Sequence, residues 1–240
     1  MLSKGLYLCT AHANRYYISI ARIARKPLST LHYERAQTKG YLDLHLHSLR
    51  EHTPYKHGQV DDYQFGGGAG MVIMPEPLSI IIEKLQSERV YDAIIFMTPD
   101  GMQLQQKTAN RLSLLENIII ICGHYKGIDE RIREKYVTLE LSIGDYVLSG
   151  GELAAAVLTD AIVRLIPGVL NDETSALSDS FQDNLLAPPV YTRPANWKGM
   201  QVPEILLCGD PKKIDAWRHD MAMKRTHERR PDMLCDDEKE

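Results

Sequence analysis

Two short runs of this chain are apolar at nearly every position. Residues 93–97 read Ala-Ile-Ile-Phe-Met and residues 118–122 read Ile-Ile-Ile-Ile-Cys. Near-continuous apolar runs of this length predict strands covered on both faces, as in a parallel sheet. Helical spacing lies between and around them. Leu78, Ile81, Ile82 and Leu85 fall on one face of residues 75–86, and residues 108–115 continue as a second helix. This β-α-β rhythm predicts an α/β fold built on a parallel sheet. Residues 41–49 alternate instead, with Leu42, Leu44 and Leu46 on one side and Asp43, His45 and His47 on the other. That pattern predicts a strand with one wet face, and His45 and His47 read as its solvated side rather than as metal ligands. The clearest helix spans residues 152–165, where Leu153, Val157, Ala161 and Leu165 fall four apart, with Ala154, Leu158 and Ile162 beside them.

The polar stretches carry the candidate chemistry. One strand-like run closes in Thr98-Pro99-Asp100-Gly101, the next in Gly123-His124-Tyr125-Lys126-Gly127. A third loop, Leu-Ser-Ile-Gly-Asp-Tyr-Val-Leu-Ser-Gly-Gly over residues 141–151, leads straight into the long helix. Glycine lets backbone come close to a ligand, and paired glycines before a helix expose its first N–H groups. The three loops predict a site at the carboxyl edge of the sheet. A further glycine loop, Gly66-Gly67-Gly68-Ala69-Gly70, follows Asp61 and Asp62 but lacks the Lys-Ser/Thr of a phosphate loop. It reads either as a surface loop or as backbone that presses on a ligand or on RNA. Arg131, Arg133 and Lys135 read as a solvated helix face, and Arg164 near the end of its helix suits the helix dipole. Residues 171–184 are polar and acidic, a linker that is idle or that orders on a substrate and delivers Asp179. Beyond it, residues 204–207 and 211–224 look helical. Lys212, Lys213, Arg218, Lys224, Arg225, Arg229 and Arg230, with Tyr191, Arg193 and Trp217, suit a nucleic-acid backbone.

Composition adjusts this only slightly. The 240 residues suit one or two domains, and a net charge of -4 leaves any RNA contact to that local basic patch. Cys9, Cys122, Cys208 and Cys235 form no Cys-x-x-Cys pair, which points to reduced thiols and a cytoplasmic protein. No apolar run is long enough to span a bilayer, so no membrane partner is expected. The apolar centre at residues 5–9 is shorter than the roughly 7–15 residues of a signal peptide core.

Taken together and in order, residues 61–71, 123–131, 142–153, Ile166-Pro167-Gly168-Val169, 175–181 and Tyr191-Thr192-Arg193-Pro194 resemble the bacterial tRNA (guanine-N1)-methyltransferases of the SPOUT superfamily. The resemblance covers about residues 35–231. It implies a parallel α/β sheet whose carboxyl-side loops form a deep trefoil knot, plus a small helical carboxyl-terminal domain that grips tRNA. The implied division is 34–168 for the knotted domain, 169–186 for a flexible linker and 187–240 for the tRNA-binding domain. The implied cofactor is S-adenosylmethionine, bound in a bent shape by Pro99, Gly123, Tyr125, Gly127, Ser142, Ile143, Gly144, Asp145, Tyr146, Val147, Leu148, Gly150 and Gly151. The resemblance further implies an obligate homodimer with composite sites. Its reaction is methylation of N1 of the guanosine on the 3′ side of the anticodon, which keeps the reading frame. Asp179 takes the role of general base and Arg164 the role of its charge partner. The family also suggests that Mg2+ assists, although no residue here is assigned to a metal. Competing readings are an inactive RNA-binding protein of the same fold and the non-functional product of a damaged gene.

Two departures stand out. Lys126 replaces a glutamate common in the family, inside a cofactor loop. Residues 1–33 do not match the family's buried first strand, which resembles Ile-Asp-Ile-Ile-Ser-Val-Leu-Pro-Glu. One account is a frame error. Synonymous codons from His12, read one base later, yield Met-Arg-Ile-Asp-Ile-Ile-Ser-Val-Leu-Pro-Glu, with the frame restored near Tyr33–Arg35. On that account the sheet lacks a strand, the charges of residues 15–26 have no partners, and the chain folds poorly or is weakly active.

Overall fold

The computed structural model describes residues 4–10 as backbone, and residues 36–170, 179–181 and 183–234 in full. The chain divides into two compact units, Met1–Asp172 and Glu173–Glu240. The division falls inside the stretch expected to be a linker.

The first unit is built on a five-stranded sheet of β1 (Lys4–Thr10), β2 (Leu42–Ser48), β5 (Ala93–Gln103), β6 (Asn117–Cys122) and β7 (Leu139–Ser142), in the order β2-β1-β6-β5-β7. Every pairing within it is parallel. A separate antiparallel hairpin joins β3 (Asp61–Tyr63) to β4 (Met71–Ile73), with the glycine-rich loop at its tip. The helices are α1 (Pro75–Glu88), α2 (Gln106–Ser113), α3 (Glu130–Tyr136) and α4 (Glu152–Val163).

The apolar runs sort by parity, as a pleated strand requires. Ile94, Phe96, Ile119 and Ile121 point to one side, where they pack with Leu78, Ile81, Ile82 and Leu85 of α1 and Ile132 and Tyr136 of α3. Ala93, Ile95, Met97, Ile118, Ile120 and Cys122 point to the other, against Leu112 of α2 and Ala155, Leu158 and Ile162 of α4. The sheet is therefore covered on both faces. Each of its fully buried isoleucines is worth about 2–5 kcal/mol against truncation to alanine.

Three differences from the sequence reading have physical causes. The stripe four apart on the long helix is not its buried face: Leu153 and Val157 are 45% and 49% exposed, while Ala154, Ala155, Leu158, Ile162 and Val163 are buried. The helix is apolar nearly all round, so spacing alone could not choose a face. β5 runs on past Met97 to Gln103 by way of a bulge, since Met97 and Met102 both pair with Leu141. The third concerns the amino terminus. The expected gap in the sheet is filled by Lys4–Thr10, which pairs along its length with β2 and β6. Its centre is the same apolar stretch that was too short for a signal peptide; as backbone it is long enough for a strand. The inference that this chain lacks a strand, and folds poorly for that reason, therefore loses its premise. Residues 11–35, where the frame error was placed, lie outside the described residues.

In the second unit, α5 (Pro211–Arg229) is the main element. It begins with Asp210, whose side chain accepts from the Lys212 N–H, and Pro211 occupies its first turn. A two-residue hairpin, β8 (Asn196–Trp197) and β9 (Met200–Gln201), precedes it. The Thr226 hydroxyl, fully buried on α5, accepts from the Leu186 N–H at 2.8 Å. The Ser180 hydroxyl accepts from the Ala187 N–H at 2.9 Å. These bonds fix the approach from Asp179 to the helix.

Deleting residues 1–10 tests the place of β1. The facing edges of β2 and β6 would lose their backbone partners, at about 0.5–1.5 kcal/mol per hydrogen bond. The truncated chain is expected to melt at least about 10 °C below the full chain, or not to fold. Thermal denaturation followed by circular dichroism reads this directly, and an unchanged Tm would show that β1 is dispensable.

Candidate functional site

The bulge of β5 and the carboxyl ends of β6 and β7 lie side by side, and glycine shapes the backbone at each. At the β5 bulge, a Cβ on Gly101 would stand 2.6 Å from the Leu141 N and 2.7 Å from the Glu140 carbonyl carbon, so only glycine fits there. The Thr98 hydroxyl donates to the Asp100 carboxylate across this bulge. After β6, the Gly127 N–H donates to the His124 carbonyl at 2.9 Å, closing a turn in which Tyr125 sits at φ 57°. The neighbouring hairpin braces this turn. The Lys126 N–H donates to Met71 O, Ile73 N–H to Gly127 O and Asp129 N–H to Ile73 O, each at 3.0 Å. After β7, the Ser142 hydroxyl donates to Gly144 O at 3.0 Å and accepts from the Gly144 N–H at 3.2 Å. The chain then returns to β6, where the Gly151 N–H donates to Gly123 O at 2.8 Å and α4 begins.

The three loops enclose a cavity of about 580 Å³. Phe96, Met97, Leu141 and Ala154 give it an apolar part, and most of its other lining residues come from the three loops. That size and composition suit a ligand of a few dozen heavy atoms. Pro99, Gly123, Tyr125, Gly127, Ser142, Ile143, Gly144, Tyr146, Val147, Leu148, Gly150 and Gly151 all line it. Asp145, on the same loop, is exposed and is not among the lining residues. Arg164 is the residue that ends α4 and also lies outside the lining. Asp179 belongs to the second unit.

Charged side chains unforeseen in the sequence complete the wall. Arg133 is not a solvated residue of a helix face. Its guanidinium grips Glu140 with two bonds of 2.8 and 2.7 Å, donates to Asp100 at 2.8 Å, and lies over the Phe96 ring with its centre 5.5 Å away. The paired carboxylates, Glu140 first, hold Arg133 even further above its ordinary value. Asp100 is held below the usual carboxylate range, first by the Thr98 hydroxyl and then by Arg133. The Tyr125 phenol is pushed up, first by burial and then by Asp61. His124 and Glu152 form a buried pair at 2.5 Å between two of the loops. No local signal marks Arg133 or His124. Their partners are assembled by strand order, which spacing along the chain does not encode.

The described residues contain no group of three or more His, Cys, Asp or Glu side chains that could hold a metal ion. His45 bonds Asp43 at 2.8 Å and its ring stacks on His47, on the edge strand. In the second unit, Pro189, Tyr191, Met221, Lys224, Arg225, Glu228 and Arg229 line a smaller cleft of about 290 Å³, with Tyr191 and Trp217 rings 6.4 Å apart. No described helix is long and apolar enough to cross a membrane.

Comparison with known proteins places the chain in a family. Residues 22–236 match the family model described as tRNA (Guanine-1)-methyltransferase TrmD. A protein of Christiangramia forsetii named tRNA (guanine-N(1)-)-methyltransferase is 61% identical over 215 residues, covering 90% of this chain and 95% of its own length. Proteins of the same name from Cytophaga hutchinsonii and Bacteroides fragilis are 64% identical over 200 residues and 62% over 203. They cover 83% and 85% of this chain, and 85% and 90% of their own lengths. The match starts at residue 22, inside the residues 1–33 that the resemblance left out.

Arg133→Met tests the charge network. Asp100 is expected to titrate higher than in the wild type but still below an ordinary carboxyl, because the Thr98 hydroxyl remains. The native state favours the ionised form. The stability this gives is present above the ordinary carboxylate pKa and is lost as pH falls through the depressed value. Carbon-detected NMR titration of Asp100 reads the shift, and an unmoved value would show that Arg133 does not set it.

Proposed function

The chain belongs to the tRNA (guanine-1)-methyltransferase family, and on that premise we propose that it methylates N1 of the guanosine 3′-adjacent to the anticodon in tRNA, maintaining the reading frame. The observation that carries this reading is the closure of three glycine-bearing loops around one cavity of about 580 Å³ at the carboxyl edge of a parallel sheet. In this reading the loops are those of a deep trefoil knot and the cavity takes S-adenosylmethionine. Apolar Phe96 and Ala154, with glycine backbone at Gly123 and Gly151, fit a ligand that is mostly ring and alkyl chain.

S-adenosylmethionine supplies a methyl group already activated on a sulfonium. The chain's task is therefore at the acceptor. Guanine N1 carries a proton and becomes a nucleophile as that proton leaves. The Asp179 carboxylate takes it as general base, while Arg164 stabilises the negative charge that builds on O6. The new N1–methyl bond forms as the bond from sulfur to methyl breaks, and neutral S-adenosylhomocysteine is left. No step is routed through Mg2+. In the second unit Lys224, Arg225 and Arg229, with Tyr191 at the same cleft, provide the cationic and aromatic surface that a tRNA backbone and its bases need. We read 34–168 as the donor-binding domain, 169–186 as the linker and 187–240 as the tRNA-binding domain, working where tRNA works, in the cytoplasm.

The homodimer belongs to the same proposal. Leu153 and Val157 stand one turn apart on the exposed side of α4, and Val147 and Leu148 are exposed on the loop before it. Exposed apolar side chains on the loop and helix that border a ligand cavity suit an interface with a second copy.

Methylation of an unmodified tRNA transcript, with 1-methylguanosine identified by nucleoside mass spectrometry, tests the activity. Asp179→Asn is expected to lower kcat by roughly 100-fold or more, and Arg164→Ala by about the same, with binding of S-adenosylmethionine retained. Full activity in Asp179→Asn would remove that residue from its role, and RNA binding without product would favour a non-catalytic protein. Val157→Asp is expected to shift the species seen in sedimentation velocity from dimer to monomer; a wild-type monomer would refute the dimer.

A further inference from the structure

Two buried ionisable side chains meet at the rim of the cavity, and the methyl transfer proposed above uses neither. His124 Nε2 lies 2.5 Å from Glu152 Oε1, with the side chains 7% and 10% exposed. His124 is on the loop that leaves β6, and Glu152 is the first residue of α4. The contact therefore crosses from one loop of the cavity to another. It sits beside a backbone bridge between His124 and Gly150, and a Cβ on Gly150 would fall on the His124 ring and the Glu152 carboxylate together. The closeness of the loops and the bareness of Gly150 are thus parts of one arrangement.

The residue after His124 shows what the contact is for. Tyr125 has φ 57°, a left-handed conformation that a tyrosine adopts only where its surroundings hold it. On its carboxyl-terminal side the chain is tied to the hairpin through the Lys126 N–H and Met71 O. On its amino-terminal side, the His124 side chain ties the turn to Glu152. Glu152 is itself well anchored, since a carboxylate at a helix start is favoured by the helix dipole.

We propose that His124 and Glu152 are a positioning pair that holds the Tyr125 turn against the start of α4, so that the cavity has its binding shape before S-adenosylmethionine arrives. The proposal rests on the reading of the cavity as the methyl-donor site. A loop ordered during folding need not be ordered during binding. The pair should therefore act on affinity for the donor, and leave the chemical step and the affinity for tRNA alone.

The test is isothermal titration of the full chain with S-adenosylmethionine and with S-adenosylhomocysteine, without tRNA. His124→Phe keeps a ring of similar size but cannot bond the carboxylate. It is expected to raise Kd roughly tenfold, with KM for S-adenosylmethionine rising in parallel and kcat and the KM for tRNA within about twofold. His124→Gln, which can still donate to Glu152, should recover most of the loss. A role in packing alone would lower Tm and the active fraction while the folded protein bound the donor as the wild type does, and that result overturns the proposal. If His124→Phe does not fold, Glu152→Gln decides: about threefold weaker binding is expected, and an unchanged Kd overturns the pair. If the wild type binds neither ligand, the donor-site reading itself fails and the proposal goes with it.

Discussion

The site depends on backbone meeting backbone at Gly151. A Cβ there would lie 3.0 Å from Cys122 Cα and 3.0 Å from the Gly123 N, a tight contact against backbone that would have to give way. With glycine, the 2.8 Å bond from the Gly151 N–H to Gly123 O can form, and α4 starts against the end of β6. Everything around the cavity follows from that approach. The loop from Ser142 must fold back across the sheet to reach it, and this return gives the cavity its wall. The first turn of α4 must then be narrow on its inner side, and Ala154 and Ala155 supply that. A larger residue at any of these points would separate two strand ends whose apolar side chains, Cys122 and Met97 among them, are almost fully buried.

Charge performs a second fastening that glycine cannot. Arg133 stands on α3, Asp100 on the β5 bulge and Glu140 on β7, and one guanidinium joins all three. The Phe96 ring lies beneath it and packs so closely under Gly123 that a Cβ there would be 3.0 Å from the ring. A single arginine thus sets the spacing of three elements that contribute cavity wall. Such a network adds little net stability for its size, because the ions must be desolvated, but it admits few alternative arrangements. Specificity of loop placement is the property that a binding cavity needs.

What the sequence made legible was local. Strands at 93–97 and 118–122, the α1 face and the three glycine loops could be read because apolar runs, 3.6-residue spacing and glycine each act within a few residues. The cavity lining followed from recognisable motifs in those loops. What stayed hidden was decided at longer range. Leu153 and Val157 face outward although their spacing looked like a core stripe, because a helix apolar all round has its buried face chosen by the sheet. Arg133 looked like one charge of three on a wet helix face, and only strand order brings Asp100 and Glu140 to it. Lys4–Thr10 was hardest. An apolar stretch so short carries no sign that it lies between two strands, and the resemblance drew attention to residues 12–33 instead.

Tyr125 unites these levels. A left-handed tyrosine costs on the order of 1–3 kcal/mol, a noticeable share of the roughly 5–15 kcal/mol that keeps a domain folded. Glycine at the same place would remove that cost, as it does at Gly127 two residues later, where φ is 106°. A tyrosine is therefore kept for its side chain, which lines the cavity and interacts with Asp61 at the base of the glycine-rich hairpin. The same short turn bonds β4 through the backbone of Lys126, and the stem of that lysine lies across Gly70, where a Cβ would come within 3.0 Å of Cγ. The turn and β4 share these backbone hydrogen bonds, so the shape held at Tyr125 is also the shape that the base of the glycine-rich hairpin supports. The strain is stored where the two loops meet, and rigid neighbours on both sides keep it from relaxing.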